Sequence, residues 1–405
     1  MKKTQNRKQA ATGDWDIAIV ARDVWSEVWR RRHFLANEWA LRRRVLYVEP
    51  PVSVPRMLTN RLDKYQREMK SASNILKPPR EVAENIFAVT PAKPFIDSAP
   101  GLREVNKAVF AETVRSAAAK IGLNNPVLWI TPEYGVHVLN RVPHSLSVYD
   151  VTDDWTQAGI PYSQRRRIEA DDRAMLKQAD IVFTVSPRLL EIKRTIRPDA
   201  VLMPNGVATG LYDLATPPAL PDELRAIQPP IIGYTGTLHE DRLDISLICE
   251  LAVIGKNRFS LALVGPNYLP PSALVALHEH SNIHIIPAQP YHRLPAFLAN
   301  FAVCMIPHAL TPFTHSLDPI KAYEYLASGR PIVSTPVDGI LPLMKYVALA
   351  TAPAEFAARI ESALAGNEVS DSTTRRAAAR DHSWSKRAED IESRINCALE
   401  KRNQH

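Results

Sequence analysis

The chain has 405 residues, 45% of them hydrophobic and 23% charged, with a formal net charge of +7. This is ordinary globular composition, and the length exceeds what one core usually fills, so two domains of roughly 200 residues each are expected. No apolar run approaches the ~20 residues that span a bilayer, and the scattered Cys249, Cys304 and Cys397 make neither a disulfide framework nor a CxxC metal pair.

The start, MKKTQNRKQAATGDWD, is basic without an apolar stretch behind it, so it reads as a tail over 1–13 rather than a signal peptide. Together with the cysteine usage this predicts a cytoplasmic protein that at most rests on a membrane. Basic clusters at Arg30 to Arg32, Arg42 to Arg44 and Arg165 to Arg167 suit an anionic surface, or simply solvated helix faces. No nucleic-acid motif accompanies them.

Along the first half, Trp15 to Ala21 reads as a buried strand and about Arg30 to Arg43 as a helix. Val45 to Val48 is a strand ending in Glu49-Pro50-Pro51, and 52–80 reads as an irregular excursion. Strands follow at Ile86 to Val89, Val127 to Ile130, Leu146 to Tyr149, Ile181 to Val185 and Val201 to Met203. Helices fall at Gly101 to Ile121 and Arg165 to Ala179, and Ser186-Pro187 opens another with a favoured cap and first-turn pair. Residues 208–230, with Pro217, Pro218, Pro221, Pro229 and Pro230, read as a linker.

A second alternating set starts at Ile231-Ile232 and runs through Leu261 to Val264, Ile283 to Ile286, Val303 to Ile306 and Pro331 to Ser334. Short buried strands alternating with helices predict an α/β fold: two doubly wound Rossmann-like domains facing a cleft. The predicted divisions are the tail 1–13, a first domain 14–207, the linker 208–230, a second domain 231–382 and a C-terminal helix within 383–405.

In open α/β sheets, ligands bind beyond the carboxyl ends of strands. In the second half those ends carry Gly233-Tyr234-Thr235-Gly236-Thr237-Leu238, then Gly265-Pro266-Asn267, then Pro307-His308 and the loop to Ser316 and Asp318. The fourth is Asp318-Pro319-Ile320-Lys321-Ala322-Tyr323-Glu324-Tyr325, a loop entering a short helix. A helix start attracts phosphate through its unpaired N–H groups. Lys321 lies in that first turn and Glu324 one turn on, which suits a phosphate and nearby hydroxyls. An ordinary αβ unit with solvated Lys and Glu explains the same residues.

The first half holds a different cluster, Asp150, Asp153 and Asp154 at the end of the Leu146 strand. Like charges this close can tune a general acid or base, while for any one of them a helix-capping role is the plain alternative. His33, His137 and His144 read as structural histidines. The absence of H-E-x-x-H, metal-spaced His pairs and G-x-S-x-G leaves metallohydrolase and serine hydrolase chemistry without support.

Pro204-Asn205-Gly206-Val207, Gly236-Thr237-Leu238, Leu263-Val264-Gly265-Pro266 and the Asp318 to Thr335 stretch form an ordered series. It resembles the retaining glycosyltransferases of the GT-B fold, family four, in the bacterial envelope and exopolysaccharide branch related to teichuronic acid biosynthesis. Arg31 to Leu35, Leu46 to Pro51, Tyr149 to Trp155 and Val182 to Pro187 agree with that branch, so the resemblance covers about 14–395.

The resemblance implies transfer of a sugar from a nucleoside diphosphate sugar to a hydroxyl of a glycan or lipid-linked acceptor, without metal or other cofactor. It places Glu324 on the donor ribose, Gly236 and Thr237 against the diphosphate, and Arg242 and Lys321 as the nearest substitutes for the family's Arg and Lys pair. Ser316 stands where the family has its first acid, with Asp318 as a stand-in for sugar contacts. Asp150, Asp153 or Asp154 falls beside the reacting sugar, and the C-terminal helix crosses back to the first domain. The basic, Trp-bearing stretch from Trp25 to Arg44 is the expected contact with an anionic membrane. Rival readings are a non-catalytic sugar-nucleotide scaffold, a GT-B epimerase or a phosphorylase.

Overall fold

The structure is a computed structural model that describes residues 15–26, 28–58, 74–75, 77–97, 100–213 and 218–404. The expected tail at 1–13 lies outside the described residues, as does much of the 52–80 excursion.

Among the described residues the first domain contains β1 (Ile17–Val20), β2 (Val45–Val48), β3 (Val52–Ser53), β4 (Arg80–Ala83), β5 (Ile86–Val89), β6 (Ala92–Lys93), β7 (Val127–Ile130), β8 (Leu146–Val151), β9 (Ile181–Thr184) and β10 (Val201–Leu202). Eight of them form one sheet in the order β10-β9-β8-β7-β1-β2-β5-β4, parallel apart from the β4–β5 edge. The strands are apolar runs because both faces are covered. One face packs Phe110, Val114, Met175 and Leu176 from helices 100–120 and 162–178. The other packs Phe34 and Trp39 from helix 31–40 with Trp384, Ile391 and Ile395 from helix 384–403.

The second domain contains β11 (Ile231–Thr235), β12 (Ser260–Val264), β13 (Ile283–Ile286), β14 (Val303–Ile306), β15 (Ile332–Ser334) and β16 (Ala348–Leu349), in the order β13-β12-β11-β14-β15-β16. All described pairings in this sheet are parallel. Strand order reverses between β1 and β7 in one sheet and between β11 and β14 in the other. Those switch points are where a crevice opens, and the two domains turn them toward each other.

Two expectations are corrected. In the described part of the 52–80 stretch, β3 pairs in parallel with β6 further along the chain, a turn of helix covers Val54–Leu58, and the antiparallel edge strand β4 begins at Arg80. Residues 218–230 are no free linker, since Leu224 and Ile227 are buried in the second domain's core with Val207 and Tyr212. Much of the Trp25 to Arg44 segment is turned inward. Arg31, Arg32, His33, Phe34 and Trp39 are buried, because helix 31–40 packs under the returning C-terminal helix.

The return is held at three points. Trp15 Nε1 donates to Asn396 at 2.8 Å, Phe34 stacks on Trp384 with centroids 4.9 Å apart, and Arg43 faces Glu392. The chain crosses between domains twice, side by side, at the Val207–Ser383 bridge. No helix among the described residues is long and apolar enough to cross a membrane.

Candidate functional site

The cleft between the two switch points encloses about 600 Å³. Its second-domain wall is built from strand ends. Beyond the sheet, β11 and β12 continue as a ladder, with Gly236 N–H donating to Val264 O at 2.9 Å and Leu238 N–H to Pro266 O at 2.8 Å. Gly236 (φ 138°) and Gly265 (φ 155°) adopt backbone conformations that side chains disfavour. A Cβ on Gly265 would lie 2.0 Å from Gly236 O, and one on Gly236 would meet Lys321 Cε at 2.9 Å. The Gly265 turn is therefore required for Gly236 to reach the cleft, and Lys321 lies directly against Gly236.

The loops after β11 and β14 are also tied together. Leu243 bridges His308, Ala309 N–H donates to Arg242 O at 2.8 Å and Asp244 N–H to Pro307 O at 2.9 Å. This ladder aims Arg242 into the cleft, where its guanidinium sits 3.7 Å from Asp153 of the first domain and 5.9 Å from the Phe313 ring.

Helix 320–328 begins at Pro319 without a side-chain cap and ends on Gly329 in the left-handed region (φ 75°). Its position is fixed by Tyr325, whose buried hydroxyl accepts from Thr235 N–H at 2.8 Å. This sets Lys321 and Glu324 in the cleft wall. Burial and the Arg242 charge beside it bring the Lys321 ammonium down to about 7, against the weaker upward pull of Glu324. Burial likewise pushes the Glu324 carboxyl up to about 7, against the Tyr291 hydroxyl and Lys321, which favour its ionised form. The site is thus poised to gain charge when an anion arrives.

The three first-domain carboxylates part company. Asp150 lies inside β8, wholly buried, with both oxygens accepting from Arg31 Nε at 3.1 and 2.9 Å. It is a counter-ion and does not line the cleft. Asp154 caps the turn at Trp155–Gln157, accepting from Thr156 N–H at 3.2 Å. Asp153 alone faces the cleft, beside Thr152, Trp155 and Arg242.

Ser316 is also turned away. It is fully buried, its Oγ accepts from Asp154 N–H at 3.1 Å, and its carbonyl accepts from Ser186 Oγ at 2.7 Å. It fastens one domain to the other. Asp318 edges the cleft but is engaged in the same seam, accepting from Asn205 N–H at 2.6 Å and the Tyr323 hydroxyl at 2.8 Å. Burial raises its carboxyl to about 6 despite these donors.

The structure thus brings Gly236, Thr237, Arg242, Lys321, Glu324 and Asp153 together and leaves out Asp150, Asp154 and Ser316. It adds residues the sequence did not single out for this site. His308 is 1% exposed in the cleft wall, and burial beside Lys321 and Arg242 holds its imidazole neutral. Trp29 stacks on Tyr291 across the domains, 5.8 Å between centroids and 13° between planes. Pro307-His308 stood among the strand ends in the sequence, but nothing local gave the histidine a role; the Trp29–Tyr291 pair joins residues 262 apart and had no local signal.

Residues 229–366 match the family described as Glycosyl transferases group 1. A teichuronic acid biosynthesis glycosyltransferase, as TuaH of Bacillus subtilis (strain 168) is named, is 24% identical over 257 residues, 58% of this chain. The alignment spans 63% of that relative's length. A sucrose-phosphate synthase from Thermosynechococcus elongatus superposes with a TM-score of 0.70 over 96% of this chain and 100% of its own, at 16% identity. Anabaena HepE, solved in complex with UDP and glucose, gives 0.68 over 94% and 99%, at 13% identity. The fold is GT-B.

Proposed function

We propose that this GT-B chain, with its group 1 glycosyl transferase domain, moves a hexosyl group from a nucleoside diphosphate sugar to an acceptor hydroxyl with retained anomeric configuration. The acceptor in this reading is an envelope glycan, an exopolysaccharide or a lipid-linked intermediate at the cytoplasmic face of a membrane. The observation that carries it is the convergence of Gly236, Lys321, Arg242 and Glu324 at one switch point, opposite Asp153 at the edge of the other. The complex of HepE with UDP and the name of the Bacillus subtilis relative support the donor and acceptor classes.

In this reaction the bond from the sugar's anomeric carbon to the diphosphate oxygen breaks and its electron pair leaves with the diphosphate. Lys321, Arg242, the open N–H groups at the start of helix 320–328 and the Gly236 backbone take up that charge, with no metal required. Glu324 holds the ribose hydroxyls. The acceptor hydroxyl replaces the diphosphate on the same face of the sugar, and its proton leaves with the departing diphosphate. Asp153 orients the acceptor side. The Trp29–Tyr291 stack and the Asp153–Arg242 pair close the cleft at two edges, excluding the water that would hydrolyse the donor.

A second reading, a sugar-nucleotide-binding scaffold without turnover, is favoured by Ser316, where the family's first acid is replaced by a domain fastener. Incubation of the purified chain with uridine, guanosine and thymidine diphosphate sugars and membrane-extracted acceptors decides between them. Nucleoside diphosphate release with an anomerically retained product, read by NMR, is expected; tight donor binding without release would favour the scaffold.

A further inference from the structure

We propose that His308 is a further ligand of the donor, its imidazole N–H donating to an oxygen of the nucleoside diphosphate. This deepens the proposed function and rests on its donor site.

His308 is buried just beyond β14, in the lining of the cleft that also holds Gly236, Arg242, Lys321 and Glu324. Its backbone is held on both sides. His308 bridges Leu243, and its carbonyl accepts from Thr335 Oγ1 at 2.8 Å. Flanking it, Ala309 N–H donates to Arg242 O and Asp244 N–H to Pro307 O. Both ring nitrogens are buried, and neither has a hydrogen-bond partner among the described residues.

A histidine kept for packing looks different in the same molecule. His33 is equally buried, yet its Nδ1 accepts from Arg30 N–H at 3.1 Å and its Nε2 donates to Val24 O at 3.1 Å. Buried polar groups are normally satisfied in this way, and one left unpaired costs stability. An apolar ring would fill the His308 space without that cost, so packing does not account for an imidazole there.

Charge identifies the occupant. Lys321 and Arg242 are the charges that act on the ring, and with burial they hold it neutral. A neutral imidazole keeps one N–H and one lone pair. The lone pair can accept from an ammonium or a hydroxyl, but the N–H needs an acceptor, and its charged neighbours are cations. The acceptor therefore arrives with the ligand. An oxygen drawn in by Lys321 and Arg242 is anionic, which a diphosphate supplies and a ribose does not.

The test compares wild type with His308→Phe, His308→Asn and His308→Gln by thermal melting and by titration. Without ligand, His308→Phe should melt at or above wild type, because an apolar ring replaces two unpaired nitrogens. It should nonetheless bind UDP roughly tenfold to 100-fold more weakly. Uridine, which lacks phosphate, should bind both proteins alike. The Asn and Gln amides set an N–H near the position of one ring nitrogen or the other, and one of the two should recover most of the UDP affinity. With the histidine ring nitrogens isotopically labelled, UDP should shift the wild-type NMR signals that His308→Phe lacks, and uridine should leave them in place. Undiminished UDP binding by His308→Phe, a loss shared equally by uridine, or His308 signals that UDP does not move would each overturn this contact alone. A wild type that binds none of the uridine, guanosine and thymidine diphosphates would overturn the donor reading and this contact with it.

Discussion

Asp150 and Asp153 are three residues apart and do different things. Among the described residues Asp150 is the one carboxylate on the buried Arg31 Nε, so Asp150→Ala leaves a cation in the interior and should cost about 3–5 kcal/mol of stability. Thermal or urea denaturation reads this; a stable variant with low turnover would return Asp150 to the reaction. Asp153→Asn should instead keep the fold and nucleotide affinity and lower turnover. At the glycines the constraint is steric. Gly265→Ala sets a Cβ against the Gly236 carbonyl, in a region of φ that costs about 1–3 kcal/mol. It should weaken nucleotide binding, and unchanged affinity would show that the Gly236 turn does not hold phosphate.

At the scale of elements, helix 320–328 makes the testable claim. Lys321 titrates near 7, whereas a free lysine titrates at 10.5. A bound diphosphate raises it again, so binding takes up a proton above pH ~7 and affinity falls as pH rises through 7 to 9. Titration calorimetry at pH 8 in buffers of different ionisation enthalpy should show this uptake. Lys321→Arg, a permanent cation, should abolish it; uptake that persists would place the titrating group elsewhere. This helix was readable in the sequence because Gly329, the Lys321–Glu324 spacing and the buried strand after it are local signals. Strands β7 to β9 and β11 to β15 were readable for the same reason, as continuous apolar runs between turn residues. Strands β3 and β6 have two residues each and no period to read, and the edge strand β4 is only half-buried. Asp150 and Ser316 were misplaced because their partners, Arg31 and Ser186, lie 119 and 130 residues away.

At the scale of the whole molecule the two domains are joined by a polar seam behind the cleft. Asn205 donates from its backbone to the Asp318 carboxylate and from Nδ2 to the Asp318 carbonyl, each at 2.6 Å, while Ser316 receives Asp154 and Ser186. Asp318→Ala strands the Asn205 N–H and Tyr323 hydroxyl and should cost about 1–3 kcal/mol. As a seam residue it should lower turnover through loose closure more than it weakens nucleotide binding, a split visible in kcat against the Kd for nucleotide.

The central claim is that the second domain's switch point holds a sugar nucleotide through Glu324. Calorimetric titration of UDP and UDP-glucose into wild type and Glu324→Ala tests it most directly. The prediction is saturable binding to wild type and a loss of about tenfold or more in the variant, equivalent to about 1.4 kcal/mol, with its thermal stability unchanged. Equal affinity of the two proteins would contradict the site.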